Sequence, residues 1–140
     1  MNILGIDWGE KKMGLALAVG TLAEPLKILR YEDLPADVTH QALQAGTKIL
    51  ITQIKTIVEH YKIEKIVVGV SEGASGIAAT NFANLLKNQF EIPVETYDET
   101  LSSQDARALA IDSGIKRKKR KEMEDAFAAA VMLQSYLDNL

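Results

Sequence analysis

The first thirty residues hold three apolar runs whose links are too short for a crossover. Residues 2–7 (Asn2-Ile3-Leu4-Gly5-Ile6-Asp7) alternate weakly, residues 13–19 form a second run, and Gly20-Thr21 is a natural hairpin turn into a third run over 22–30. Parallel neighbours need a connection of about a dozen residues or more, so these strands must form an antiparallel meander. Pro25 has no N–H for a ladder, which puts the third strand at a sheet edge or at a bulge. The first strand ends on a carboxylate, Asp7, and the turn after it carries Gly9, Glu10, Lys11 and Lys12. A carboxylate at a strand end, beside positive charge and a pliant backbone, is a candidate metal ligand. Its bland counterpart is an aspartate that caps the turn before Gly9.

Beyond the meander the period changes. Leu34-Pro35-Ala36-Asp37 reads as a linker with Asp37 as a candidate N-cap, and from about 38 to 61 apolar residues recur at helical spacing (Leu43, Leu50, Ile54, Ile57, Val58, Tyr61). Gly46 is a point where this helix could bend. The β-branched run over 63–70 is a buried strand, Gly73-Ala74-Ser75-Gly76 a flexible loop, 77–89 a helix, and 92–97 a strand opened by Pro93. Ser102 or Ser103 caps a helix that reaches about 112 and ends at Gly114, and a last helix covers about 122–138. The order βββαβαβαα predicts an α/β fold: one mixed five-stranded sheet, antiparallel in strands 1–3 and parallel in strands 4–5, flanked by helices. Ligands of such sheets collect outside the carboxyl ends of the parallel strands. Asp7 ends the first strand, Ser71 and Glu72 the fourth, and Asp98 and Glu99 the fifth.

A chain of 140 residues without an internal repeat or low-complexity segment reads as a single domain over 1–140. Cysteine is absent, which excludes disulfides, thiolate-ligated zinc and thiol nucleophiles. The sequence enters a strand at once, with no signal-peptide pattern, and no apolar run approaches the roughly 20 residues that span a bilayer. The expectation is a soluble cytoplasmic protein with no membrane partner. The net charge of −3 conceals an asymmetry. Lys116-Arg117-Lys118-Lys119-Arg120-Lys121 is an unbroken basic run, and the rest of the chain has 10 basic residues against 19 acidic ones. Positive charge gathered in one place on an acidic protein predicts a polyanion contact. A merely solvated loop is the bland reading of that run.

Three acidic features could converge: Asp7, the pair Asp98-Glu99, and the pair Glu124-Asp125 that opens the last helix. Carboxylates without histidine or cysteine suit a hard, octahedral cation, Mg²⁺ or Mn²⁺. Two such ions about 4 Å apart can activate water and stabilise the leaving oxygen in phosphodiester cleavage. Clustered like charges are unfavourable without a cation, so the cluster needs one. Ala126, Ala128, Ala129 and Ala130 make the last helix thin, so it can lie close to the sheet and bring Asp125 to the strand ends. The bland reading is that alanine is the best helix former and that the dipole favours acids in a first turn. His40 and His60 lie on the long helix away from every motif, and Trp8 reads as a packing anchor.

These motifs resemble the YqgF/RuvX-like family of the ribonuclease-H-like superfamily, whose members are described as Holliday-junction resolvases and as nucleases maturing the 5′ end of 16S ribosomal RNA. The likeness spans nearly the whole chain. Gly5-Ile6-Asp7-Trp8-Gly9-Glu10-Lys11-Lys12-Met13-Gly14-Leu15-Ala16 resembles the opening motif, Val67-Val68-Gly69-Val70 the fourth strand, Asp98-Glu99-Thr100-Leu101-Ser102-Ser103 with Ala106 the Asp-Glu-Arg-Leu-Thr-Thr motif, and Glu124-Asp125-Ala126 through Leu137 the closing helix. The resemblance implies a ribonuclease-H-like fold and a carboxylate triad at Asp7, Glu99 and Asp125 holding Mg²⁺ or Mn²⁺. Alternation along a strand sends Asp98 and Glu99 to opposite sides, which leaves Asp98 as a neighbour, and Glu72 is either a fourth carboxylate at a neighbouring strand end or a loop charge. Two departures touch the substrate side. Thr100 stands where the family has arginine, removing a phosphate contact, and Ser71-Glu72-Gly73-Ala74-Ser75-Gly76 is shorter than the family's loop and lacks its proline.

The expected activity is a metal-dependent nuclease hydrolysing phosphodiesters in structured nucleic acid. Lys11, Lys12, Lys116, Arg117, Lys118, Lys119, Arg120 and Lys121 would grip the backbone. The first substrate is precursor 16S ribosomal RNA, cut at its 5′ end. A four-way DNA junction is the second, and it would need a homodimer rather than a monomer to cut two strands symmetrically. Two rivals share features with this reading. An ATPase lobe of the actin/sugar-kinase type also opens with Gly-x-Asp-x-Gly on a meander, but it closes two lobes on a nucleotide. A non-catalytic nucleic-acid-binding module would account for Thr100 and the altered 71–76 loop.

Overall fold

The meander forms as expected: β1 (Asn2–Asp7), β2 (Lys12–Val19) and β3 (Leu22–Arg30) pair antiparallel in sequence. The hairpin between β2 and β3 turns at Gly20, whose φ of +83° is open to glycine at no steric cost. After α1 (His40–His60), strand β4 (Lys65–Val70) inserts beside β1 in parallel. Helix α2 (Ala74–Gln89) then carries the chain to β5 (Val94–Asp98), parallel to β4, and α3 (Glu124–Asp138) closes it. The structure, a computed structural model, describes residues 1–9, 12–30, 40–70, 74–98 and 123–140, with the backbone alone at 40–48 and 74–75. The expected helix over 102–112 and the basic run lie outside the described residues.

The strand order is β3-β2-β1-β4-β5, a mixed five-stranded sheet of the predicted kind. Pro25 satisfies both of its expected constraints. It lies on the edge strand, and the β2–β3 register slips between Leu15 and Ala16, which pair with Lys27 and Pro25 and leave Leu26 as the extra residue of a bulge.

Alternation divides the sheet's side chains between two cores. Leu4, Ile6, Met13, Leu15, Ile66 and Val68 face α1 and α2, where Leu50, Ile51, Ile54 and Ile57 meet Phe82, Ala83 and Leu86. Full burial of each larger aliphatic side chain contributes about 1.5–3 kcal/mol. Ile3, Ala16, Ala18 and Val67 point the other way, onto Ala129, Ala130, Met132, Leu133 and Tyr136 of α3. Gly5 shares that face, because a Cβ there would lie 3.0 Å from the Leu133 Cβ.

Side-chain hydrogen bonds fix the ends of these elements. Asn2 ties the start of β1 to the α1–β4 connection: its Nδ2 donates to the Tyr61 carbonyl at 2.8 Å, and its backbone N–H donates to Glu64 Oε2 at 2.9 Å. Gln134 of α3 clamps the hairpin. Its Oε1 accepts from the Ala23 N–H at 2.9 Å and its Nε2 donates to the Thr21 carbonyl at 3.0 Å.

Two boundaries differ from the sequence reading for a physical reason. Strand β4 starts at Lys65 rather than at 63, because Lys62 takes a left-handed φ of 53° and Ile63 is spent closing the turn, donating to the Val58 carbonyl at 2.9 Å. Helix α2 begins at Ala74, inside the expected loop. Burial of Ala79, Phe82, Ala83 and Leu86 against the sheet outweighs the roughly 1 kcal/mol that a glycine costs in a helix.

Candidate active site

The carboxyl ends of β1, β4 and β5 lie together, as parallel strands require. Asp7 pairs with Gly69, and Gly69 with Tyr97, while on its other side Asp7 pairs with Gly14 of β2. Ile3 and Gly5 face α3, so by alternation Asp7 faces α3 as well. Its neighbours in the row, Gly14 and Gly69, have no side chains. The Asp7 carboxyl group therefore rises between two strand positions that carry no side chain of their own.

Helix α3 descends onto this place. A Cβ on Gly14 would collide with the Asp125 carbonyl oxygen and would stand 2.8 Å from the Ala126 nitrogen. Only a residue without a side chain allows that approach. Gly14 thus links the two carboxylates: it is the cross-strand partner of Asp7 and the floor beneath the backbone of Asp125. Ala16 and Ala18 continue the row of small residues along β2, and Ala129 and Ala130 of α3 share their cluster. Glu124 and Asp125 occupy the first turn of α3, where the helix dipole favours negative charge.

Lys12 opens β2 on the same face as Gly14. Its ammonium reaches Asp125 Oδ2 at 3.3 Å, with the two side chains 36% and 31% exposed. The structure therefore brings Asp7, Lys12 and Asp125 to one end of the sheet. Asp98 ends β5, but alternation sets it on the face opposite Tyr97, which packs toward α3. Glu99, Glu72, Lys11 and the run 116–121 lie outside the described residues.

A family model described as RuvX: Holliday junction resolvase matches residues 1–139. The chain belongs to that family. Its members are nucleases, hydrolases of phosphodiester bonds. Among curated relatives, provisionally named pre-16S rRNA nucleases, that of Bacillus pumilus is 32% identical over 148 residues, covering 100% of this chain and 99% of the relative. That of a Geobacillus species is 33% identical over 147 residues, covering 99% of each. Among solved structures, Thermus thermophilus RuvC in complex with a Holliday junction substrate superposes with a TM-score of 0.64 at 18% identity, covering 99% of this chain and 96% of that one. The fowlpox virus Holliday junction resolvase gives 0.58 at 16% identity, with both chains fully covered. At such identities these two show the fold, which is that of the RuvC-like, ribonuclease-H-like nucleases.

Such nucleases generally use divalent metals, and the donor chemistry here can be tested against one. Asp7 and Asp125 are oxygen donors of the kind a hard cation selects. The ammonium of Lys12 already stands at Asp125 as a positive charge. Both observations fit a Mg²⁺- or Mn²⁺-type ion. Among the described residues no three metal-ligating side chains come together. No described helix is long and apolar enough to cross a membrane.

Sequence reasoning did not single out Gly14, although a signal existed. Gly14, Ala16 and Ala18 alternate on one face of a strand and complement an alanine-rich helix. It also missed a polar cluster at the far end of α3. Lys65 Nζ donates to the Tyr136 hydroxyl at 3.1 Å, and that hydroxyl donates to Glu95 Oε2 at 2.6 Å. Lys65 also pairs with Glu95 Oε1 at 3.5 Å. The hydroxyls of Tyr97 and Ser135 share a hydrogen bond of 2.9 Å, and the Tyr97 and Tyr136 rings meet edge to face at 5.7 Å. The Tyr136 hydrogen bond holds the Glu95 carboxyl below its ordinary pKa, with Lys65 adding to the effect. The hydrogen bond to Tyr136 raises Lys65, and burial raises Tyr136. The residues of this cluster are scattered through the sequence, and no local motif marks them.

Proposed function

We propose that this RuvX-family chain is a metal-dependent nuclease of one domain, 1–140, that acts in the cytoplasm on structured RNA, most specifically at the 5′ end of precursor 16S ribosomal RNA. One observation supports the chemistry above the others: through Gly14, the Asp125 end of α3 lies against the cross-strand partner of Asp7. In this reading Asp7 and Asp125, joined by Glu99, hold Mg²⁺ or Mn²⁺, with Asp98 and Glu72 as outer neighbours. The ion would activate a water for attack on phosphorus and stabilise the departing oxygen. The chain's own contribution is orientation. The β1 register aims Asp7, and the close seat of α3 aims Asp125, so neither carboxylate must be ordered when substrate arrives. Lys11 and the run Lys116, Arg117, Lys118, Lys119, Arg120 and Lys121 supply the phosphate grip. Lys12, whose ammonium is held by Asp125, stands apart from that grip.

The names of the curated relatives favour RNA. The second reading, a four-way DNA junction cut by a homodimer, draws on the family description and on the junction-bound RuvC neighbour. The experiment is cleavage of precursor 16S rRNA, linear single strands and four-way junctions in Mg²⁺ and in Mn²⁺, with Asp7→Asn alongside. The expected outcome is metal-dependent cutting of the RNA precursor that Asp7→Asn lowers by at least about a hundredfold. Equal behaviour of wild type and Asp7→Asn on every substrate refutes the nuclease reading, and cleavage confined to junctions selects the second substrate.

A further inference from the structure

The pairing of Lys12 with Asp125 changes what this lysine does. The β2 register that puts Gly14 beneath the backbone of Asp125 also fixes Lys12 two residues away on the same face. Its ammonium lies 3.3 Å from Asp125 Oδ2, and neither side chain is more than about a third exposed. An exposed ion pair on a mobile loop would be a passing contact. Here both partners stand on elements packed backbone to backbone, so the lysine stem need only extend along the sheet face to bring its ammonium to the carboxylate. A hard divalent ion binds a carboxylate oxygen at about 2.0–2.6 Å and brings two positive charges. An ammonium already against that oxygen repels it and occupies its approach.

We propose that Lys12 is the resident counter-cation of Asp125, which a divalent ion must displace. It is a positioning residue, not a phosphate contact of the resting protein. Without metal it neutralises part of the carboxylate cluster and keeps Asp125 oriented. When metal arrives it competes, and so lowers the affinity of the site. This rests on the reading of Asp125 as a metal ligand.

Calorimetric titration of Mn²⁺ into the metal-free full chain tests it, with Lys12→Met, Lys12→Arg and Asp125→Asn measured in parallel and each variant's fold checked by circular dichroism. Displacement predicts that Lys12→Met binds Mn²⁺ about three- to tenfold more tightly than wild type, the range expected for a partly screened ion pair. Lys12→Arg, which keeps the charge, should bind within about twofold of wild type. Asp125→Asn should bind more weakly than all of them. Wild-type binding that Lys12→Met leaves unchanged or weakens overturns the displacement and leaves the metal reading standing. Absence of Mn²⁺ binding in wild type and in Lys12→Met alike refutes the metal site itself, and the displacement with it.

Discussion

Replacing Gly14 by alanine should separate the two tasks of the close approach between β2 and α3. The added methyl would collide with the Asp125 carbonyl and stand 2.8 Å from the Ala126 nitrogen, and both obstacles are backbone of a helix's first turn. No side chain can rotate away, so the helix must retreat. Overpacking of this kind costs about 1–3 kcal/mol, and rigid partners put this site at about 3. Loss of backbone freedom in the unfolded chain returns about 0.5–1 kcal/mol. The net destabilisation is then about 2 kcal/mol, or roughly 4–8 °C in Tm for a chain of this size. The loss of activity should be greater. A retreat on the order of 1 Å displaces Asp125 from Asp7, and such a misplacement costs about a hundredfold in rate.

The control is Gly5→Ala on the neighbouring strand, where the atoms nearest the added methyl are the Leu133 Cβ at 3.0 Å and Cδ2 at 3.2 Å, about two turns along α3 from Asp125. A local give of a few tenths of an ångström relieves these contacts, far less than Gly14→Ala demands, so the cost should be about 1 kcal/mol, with cleavage within about threefold of wild type. Thermal unfolding and single-turnover cleavage, well below either midpoint, read the two quantities apart. A Gly14→Ala protein that melts and cuts like wild type would show that α3 does not depend on this contact to place Asp125. Equal loss of activity in both variants would show that general loosening, and not the position of Asp125, is responsible.

Two further outcomes follow from the polar cluster and from the charge pattern. Tyr136→Phe removes the hydroxyl between Lys65 and Glu95 and should cost about 1 kcal/mol near neutral pH, a value held down because the Glu95 side chain is 45% exposed. Glu95 is lowered in the fold, so its share of that stability is present above its unfolded value of about 4.3 and is lost as pH falls through the lowered one. Lys65 and Tyr136 are raised, so their shares are complete below about 10 and are lost as pH rises through their raised values. Urea unfolding of wild type and Tyr136→Phe from pH 3 to 11 should therefore show a gap that is widest in between and narrows at both ends; a constant gap refutes the assignment. Neutralising Lys118, Lys119, Arg120 and Lys121 together should weaken binding of a catalytically inactive Asp7→Asn protein to every nucleic acid tried, and should flatten its log–log salt dependence by up to about 0.7–0.9 per lost phosphate contact. An unchanged salt slope would reduce the run to a solvated loop.

Much of the architecture could be read from order and spacing alone. The meander followed from links too short for anything else, and Pro25 pointed to an edge or a bulge, of which the structure has both. Boundaries were less legible where two signals competed. Glycine and serine at 73–76 read as a loop, yet the buried face of α2 drew its first turn into that stretch. Ile63 looked like strand by type, but a left-handed Lys62 turned it into the closure of a loop.

The residue types of the candidate site, carboxylates at strand ends and at a helix start, belong to the sequence. So does the charge asymmetry, because neither depends on where the chain goes. What only the tertiary structure decided is who stands beside whom. Lys12 carried the same charge as Lys11 in the sequence and the same apparent purpose. The register of β2 sets it against Asp125. Gly14 looked like one more glycine of the opening motif until α3 came to rest on it. Such contacts join residues more than a hundred positions apart. They depend on sheet register and on the depth to which a helix can sink, and no local pattern encodes either.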